Sequence, residues 1–298
     1  MFDRDKILLG ITPTGWTNDD FPGLGEEIAF EQGVSEMALA GFQGCSVGHK
    51  FPTDSAELRA ALELRGLRVS EPWASTFFTA CEMEQQTVES FRRQMAFIKE
   101  MGGSDVVVAE LGHSVHQRPV ALLPNKPVFD DGQWRAMVEG LNRLGKLAQG
   151  EGMRLCYHHH MGTGVQTPHE IERLMRDTDA EHVHLLLDTG HLFWAGGDPS
   201  LLVREHGPRI KHVHLKDIRR PVMEESIARG RSFFEAIEAG VFTVPGDGDI
   251  DFRPILQALA ACGYEGWLVV EAEQDPKRAH PLTYARKARA YLREVASL

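Results

Sequence analysis

Val183-His-Leu-Leu-Leu-Asp188-Thr-Gly-His191 and Ile210-Lys-His-Val-His-Leu215-Lys-Asp217 are the two stretches that decide the fold. Each is a short apolar run that ends in carboxylates and imidazoles. Comparable runs recur at residues 7–11, 44–47, 67–70, 106–110, 154–158 and 267–271. Most are continuously apolar rather than alternating, as parallel strands are when helices cover them. Helical periodicity fills the intervals at residues 26–40, 55–65, 84–101, 134–149, 168–176, 252–262 and 282–296. Within them Phe91, Met95 and Ile98 form one stripe, and Met137, Leu141, Leu144 and Ala148 another. Thr167 is placed to cap the helix that opens at Pro168. Strand–helix alternation repeated about eight times predicts a (β/α)8 TIM barrel, for which about 250 residues is typical. An open doubly wound sheet is the runner-up, but Gly10-Ile-Thr-Pro-Thr-Gly15 is not the Gly-rich turn it needs. Residues 1–298 read as a single barrel domain. The connection at about 217–251 is long enough for a lid or binding segment, and residues 224–239 within it can be helical.

The charge balance narrows the function classes. A net charge of −11 and a pI near 5.7 argue against nucleic-acid and anionic-membrane partners. Cys45, Cys81, Cys156 and Cys262 are scattered without CxxC spacing, which suits free thiols in a reducing cytosol. The first residues are too charged for a signal peptide, and no apolar run approaches the roughly 18 residues that cross a bilayer. A cytoplasmic protein is expected.

In a barrel, the C-terminal ends of the strands converge on one mouth. Here they carry Glu110 and then His113, Tyr157-His158-His159-His160, Asp188 with His191, His212 with His214, Lys216 and Asp217, and Glu271 with Glu273. Carboxylates after apolar strands are costly when unpaired. Several of them beside imidazoles form a mixed oxygen and nitrogen donor set, better suited to Mn, Co, Fe or Zn than to Ca. A single strand histidine is more often a hydrogen-bonded core residue, and Asp188 alone could merely cap the next helix. His159 alternates away from its neighbours and is expected outside the barrel. The metal reading therefore rests on the joint pattern. Asp247-Gly-Asp249-Ile-Asp251 fails as a calcium loop, because Phe252 stands where the EF-hand needs Gly and Ala258 where it needs Glu. Walker, GxSxG and HExxH motifs are absent.

These strand ends resemble the xylose isomerase-like superfamily of sugar isomerases and epimerases. Its pattern of Asp, His and Glu on the last three strands matches Asp188, His214 and Glu271. At the fifth strand, where related epimerases carry Glu, this chain has His158. Gly48-His-Lys-Phe-Pro52, Tyr157-His-His-His-Met-Gly-Thr163, Leu187-Asp-Thr-Gly-His191, His212-Val-His-Leu-Lys-Asp217, Gly240-Val-Phe-Thr-Val-Pro245 and Glu271-Ala-Glu-Gln-Asp-Pro276 resemble the inosose dehydratases of inositol catabolism. The likeness covers essentially the whole chain, including Gly15-Trp16-Thr17-Asn18-Asp19. It departs at residues 45–47, where an apolar-Glu ending is expected before Gly48-His-Lys.

The resemblance implies a hydro-lyase that removes water from 2-keto-myo-inositol, by proton abstraction α to the ketone and loss of the β-hydroxyl. It implies a divalent metal, Mn2+ or Co2+, held by His158 (or His160), Asp188, His214 and Glu271. Glu271 and Glu110 are candidate bases, and His191 and His160 candidate acids. Lys216 is a candidate to hold the enolate oxygen, while Trp16, Asn18, His49 and Lys50 are candidates to read ring hydroxyls. Glutathione comes with the resemblance, although no stretch reads as a thiol site. A small polyol or ketose is the expected partner, and a homo-oligomer is left open. The same-fold alternative is a metal-dependent sugar 3-epimerase or isomerase. A nuclease of the endonuclease IV type fits poorly with the acidic balance. A non-catalytic barrel would carry its buried carboxylates at a stability cost without purpose.

Overall fold

The computed structural model describes residues 2–298. Its strands are β1 (Ile7–Ile11), β2 (Gly44–Cys45), β3 in two halves (Arg68–Val69 and Trp73–Thr76), β4 (Asp105–Glu110), β5 (Arg154–His158), β6 (Val183–Asp188), β7 (Ile210–Leu215) and β8 (Gly266–Val270). All pair in parallel. β1 lies between β8 and β2, and the series runs on from β8 through β7, β6, β5 and β4. Its two free ends are the halves of β3: Arg68–Val69 pairs with β2, and Trp73–Thr76 with β4. The link Ser70-Glu71-Pro72 joins them, so the ring closes through the chain itself. Pro72 has no N–H to give a ladder, yet its carbonyl still accepts from Val107 N at 3.2 Å. The second half of β3 is an element that sequence periodicity missed.

Helices cover the outside and bury their predicted stripes. Met137, Leu141, Leu144 and Ala148 are fully buried on the helix Asp131–Gly150. That helix lies close enough for a Cβ at Gly145 to meet the His182 carbonyl at 2.1 Å, so only glycine fits. Thr167 caps Pro168–Asp177 in a reciprocal capping box with Glu170. The first helix begins at Phe30 rather than residue 26. The Lys50 ammonium donates to the carbonyls of Gly25, Glu26 and Ile28 at 2.7–2.9 Å and holds that segment as a turn.

The connection 217–251 is folded. Asp217–Ile218 pairs antiparallel with Phe242–Thr243, and between them lie the helices Arg220–Ala228 and Phe233–Glu238. The Asp217 carboxylate accepts N–H from Ile218, Gly246, Gly248 and Ile250 at 2.8–3.1 Å. The acidic run Asp247–Asp251 therefore curls round a carboxylate, and Asp251 caps the helix Phe252–Ala261. Cys45 and Cys156 are buried free thiols and Cys262 is an exposed one; the Cys81 side chain lies outside the described residues. No helix among the described residues is long and apolar enough to cross a membrane.

Candidate metal centre and active site

Four strand ends bring His158, Asp188, His214 and Glu271 together, with one donor atom from each within 4.8 Å of all the others. His158 Nε2 lies 3.6 Å from Asp188 Oδ2, and His214 Nδ1 lies 3.8 Å from the same oxygen and touches Glu271 Oε2. Asp188 divides its work. Oδ1 accepts from His191 N at 2.8 Å and caps the helix Thr189–Trp194, while Oδ2 turns to the cluster. Asp188 Oδ2, His214 Nδ1 and Glu271 Oε2 are buried and, although charged groups lie close by, none of the three makes a well-formed hydrogen bond among the described residues. Orphaned polar atoms of this kind are costly, and a divalent cation would satisfy all three. The donor set fits Mn, Co, Fe or Zn. Burial opposes ionisation of Asp188, but Lys216 and His158 outweigh it and bring its carboxyl down to about 2.

Of His158 and His160, His158 is the one in the four-donor cluster, and His160 groups instead with His191 and Glu273. His160 Nδ1 lies 2.8 Å from the Met161 carbonyl, which can only accept, so Nδ1 carries the proton and Nε2 keeps its lone pair. Burial and the neighbouring His116 hold that ring neutral, well below its ordinary range. His159 is fully buried and accepts from Asp188 N at 3.2 Å, thereby fixing the strand end that carries a cluster carboxylate.

Behind the cluster a second set of charges descends the barrel. His214 Nε2 donates to Glu71 Oε1 at 3.2 Å. Glu71 Oε2 is 3.3 Å from His212 Nε2, and His212 Nδ1 is 3.2 Å from Asp105 Oδ2. Asp105 Oδ1 accepts from Arg154 Nε at 2.6 Å. Burial disfavours the His212 imidazolium, but Glu71 and Asp105 on its two sides raise its pKa. Glu71 is lowered to about 2, since His212 and His214 outweigh burial. Two carboxylates, one imidazolium and one guanidinium make the stack neutral. Glu71 fixes which His214 nitrogen faces the cluster, as carboxylates behind metal-binding imidazoles do.

On the other side lies Lys216, fully buried. Its Nζ is 2.8 Å from Glu273 Oε1, 2.8 Å from His191 Nε2, 3.3 Å from Glu271 Oε1 and 3.4 Å from Asp188 Oδ2. Burial works against the ammonium, and the three carboxylates hold it protonated. His191 Nε2 faces an ammonium and must accept, so that ring is neutral with no proton on Nε2 to give. Burial, more than the opposing Lys216, pushes the Glu273 carboxyl up to about 7.

Above the cluster opens a cavity of about 300 Å³, lined by His158, His160, His214, Glu271 and Glu273 together with Asn18, Asp20, Trp73 and His116. Trp73 is 38% exposed, and its ring stands 5.6 Å from that of His158. His116 Nε2 lies 3.4 Å from Asp20 Oδ1. The cavity thus pairs an aromatic face with titratable groups, as a small-molecule site does.

The sequence candidates separate. Glu271 and His160 face the cavity. Glu110 does not: its carboxylate accepts from Thr76 Oγ1, Phe78 N, Thr79 N, Thr79 Oγ1 and Gly112 N at 2.8–3.3 Å. His191 and Lys216 lie behind the cluster, bonded to each other. Asn18 lines the cavity, with Oδ1 accepting from Asp20 N and Phe21 N. Trp16 is buried with Nε1 on Glu36, and Lys50 is spent on the 25–28 turn. His49 reaches the rim only through Asp19, at 2.8 Å. Sequence reasoning assigned no role to Glu71, Trp73, Asp20, His116 or Glu273. Only Glu273 carried a signal, two residues from Glu271 and so on the same side of an extended chain.

Residues 34–295 match the family described as xylose isomerase-like TIM barrel. The chain is 53% identical to an inosose dehydratase of Geobacillus thermodenitrificans and 50% identical to one of Clostridium tetani, over the full length of both chains in each case. Among solved structures, the IolI protein with a bound zinc atom has a TM-score of 0.73 at 17% identity, covering 97% of this chain and 98% of that one. An L-ribulose 3-epimerase has a TM-score of 0.70 at 18% identity, covering 98% and 95%. These two likenesses bear on the fold.

Proposed function

The chain belongs to the inosose dehydratase family of xylose isomerase-like TIM barrels, and from that premise we propose that its barrel mouth removes water from 2-keto-myo-inositol, a polyhydroxylated ring ketone. It is a hydro-lyase. The observation that carries this reading is the union of a four-donor cluster with a cavity that has room for one small ring.

A divalent ion, Mn2+ or Co2+, held by His158, Asp188, His214 and Glu271 would supply Lewis-acid stabilisation of the charge that develops on the ketone oxygen. The residues around it handle the protons. His160 Nε2, with a free lone pair at the cavity wall, takes the proton α to the ketone. Glu273, with Oε2 unpartnered, gives a proton to the departing β-hydroxyl, which leaves as water. Glu271 binds in the cluster and limits where the α-carbon can lie. Trp73 covers an apolar ring face, and Asn18, Asp20 and His116 meet hydroxyls on the far wall. Loss of water is redox-neutral, so the thiol of glutathione has no electrons to supply.

We also take residues 1–298 as one barrel domain in which the connection 217–251 is a cover. Phe233 packs 5.7 Å from the His160 ring and Phe242 6.0 Å from that of His191, which keeps water from the cluster's rear. The test is the mass and ultraviolet absorbance of 2-keto-myo-inositol after incubation with metal-loaded protein. A conjugated dione lighter by one water is expected. A product of unchanged mass would instead support the epimerase alternative.

A further inference from the structure

We propose that the Lys216 ammonium occupies the place of a second metal ion, and that deleting it turns a one-metal centre into a two-metal centre. The inference rests on the reading that His158, Asp188, His214 and Glu271 hold one divalent ion.

The surroundings of Nζ are those of a cation site. Glu273 Oε1, His191 Nε2, Glu271 Oε1 and Asp188 Oδ2 ring it at 2.8–3.4 Å. This is the same mixture of carboxylate oxygen and imidazole nitrogen as in the first cluster. His160, His191 and Glu273 separately bring donor atoms within 4.8 Å of one another, so a second grouping of ligand type exists beside the first. Glu273 Oε2 is buried without a partner among the described residues.

Two carboxylates serve both positions. Glu271 turns Oε2 to His214 and Oε1 to Lys216, one oxygen to each side. Asp188 Oδ2 faces His158 at 3.6 Å and Lys216 at 3.4 Å. In carboxylate-rich sites with two metals, shared carboxylates take this place between the ions.

Charge explains why the second position is filled by an amine. Once Glu273 has given up its proton, Asp188, Glu271 and Glu273 are balanced by one divalent ion and one ammonium. Without the ammonium, one buried negative charge has no counterion, a cost the protein would relieve by taking up another cation. The backbone holds Lys216 for this purpose. Thr189 Oγ1 accepts from Lys216 N at 2.9 Å and lies 2.7 Å from its carbonyl. Gly190 is bare where the stem crosses, since a Cβ there would lie 2.6 Å from Lys216 Cγ. An ammonium balances charge but has no empty orbital for a substrate oxygen, so the site keeps a single polarising centre.

The experiment strips wild type and Lys216→Ala with a chelator, adds Mn2+ alone, and counts bound metal per chain after gel filtration. Wild type is expected to hold one equivalent and Lys216→Ala two. The variant should also show the exchange-coupled electron paramagnetic resonance signal of two ions that share carboxylates. If Lys216→Ala loses its fold in chelator, the equivalents of Mn2+ that restore its circular dichroism give the same count. One equivalent in wild type with one or none in the variant overturns this inference and leaves the metal centre standing. Two equivalents in wild type overturn it as well. No metal in wild type overturns the metal centre and this inference with it.

Discussion

Replacing Glu71 by Gln removes one negative charge from the barrel axis and keeps the side chain's shape. Glu71 accepts from His214 Nε2 at 3.2 Å and flanks His212 at 3.3 Å. The substitution leaves the His212 imidazolium with Asp105 alone, which already serves Arg154. Two losses follow. His214 no longer donates to an anion, so its Nδ1 becomes a poorer donor toward the cluster. Carboxylates in this position are typically worth about 10–100-fold in metal affinity, or roughly 1.4–2.8 kcal/mol. Stripping one partner from a buried charge pair costs about 3 kcal/mol at the low end, equivalent to a melting temperature lower by roughly 6 °C. The assay is competitive titration of Mn2+ against a fluorescent chelator, with calorimetry of the metal-free proteins beside it. A fall in melting temperature alone would make Glu71 structural. A Mn2+ affinity within twofold of wild type would refute its role in orienting His214.

Glu110→Gln should destabilise without disabling. One amide oxygen cannot serve donors on both sides of the former carboxylate, and a buried group left unpaired costs about 1–3 kcal/mol. Calorimetry should show the loss while kcat of the folded protein stays within about twofold, and a hundredfold fall in kcat would return Glu110 to the catalytic machinery. Acid should weaken the fold through buried neutral imidazoles. Burial brings His184 down to about 4 and His159 down to about 3, while the unfolded rings take up protons near 6.5. Each pKa is depressed in the folded state, so the stability present above pH 6.5 is lost as pH falls from there toward 4. Urea midpoints measured across that window test this. His184→Gln should flatten part of the decline, and an unchanged slope would remove His184 from the account.

Much of the site was legible because strand ends in a parallel barrel point to one place. Asp188, His214 and Glu271 each close an apolar run, and a carboxylate or imidazole there has nowhere to go but the mouth. The same logic overreached at Glu110. A strand-end carboxylate can equally be consumed by the backbone that follows, and nothing in Val-Val-Ala-Glu110 tells the two cases apart. Lys50 and Trp16 are engaged away from the cavity for a similar reason. Long polar side chains on loops satisfy nearby carbonyls and carboxylates when the loop folds over them, and the fold of a loop is not periodic. Glu71 and Trp73 went unseen because Pro72 interrupts the third strand and hides its second half from any search for continuous apolar runs.

By itself the sequence determined the barrel and that Asp188, His214 and Glu271 stand at its mouth. Hydrophobic period, strand length and the residue types at strand ends are local properties that survive in one dimension. The tertiary structure alone decided which nitrogens of His160, His191 and His214 face their partners, that His158 rather than His160 lies in the four-donor cluster, and that Lys216 lies behind that cluster and not on the cavity wall. Those outcomes depend on what lies within about 3 Å in space. The partners come from residues far apart in sequence, such as Glu71 with His214 and Lys216 with Glu273.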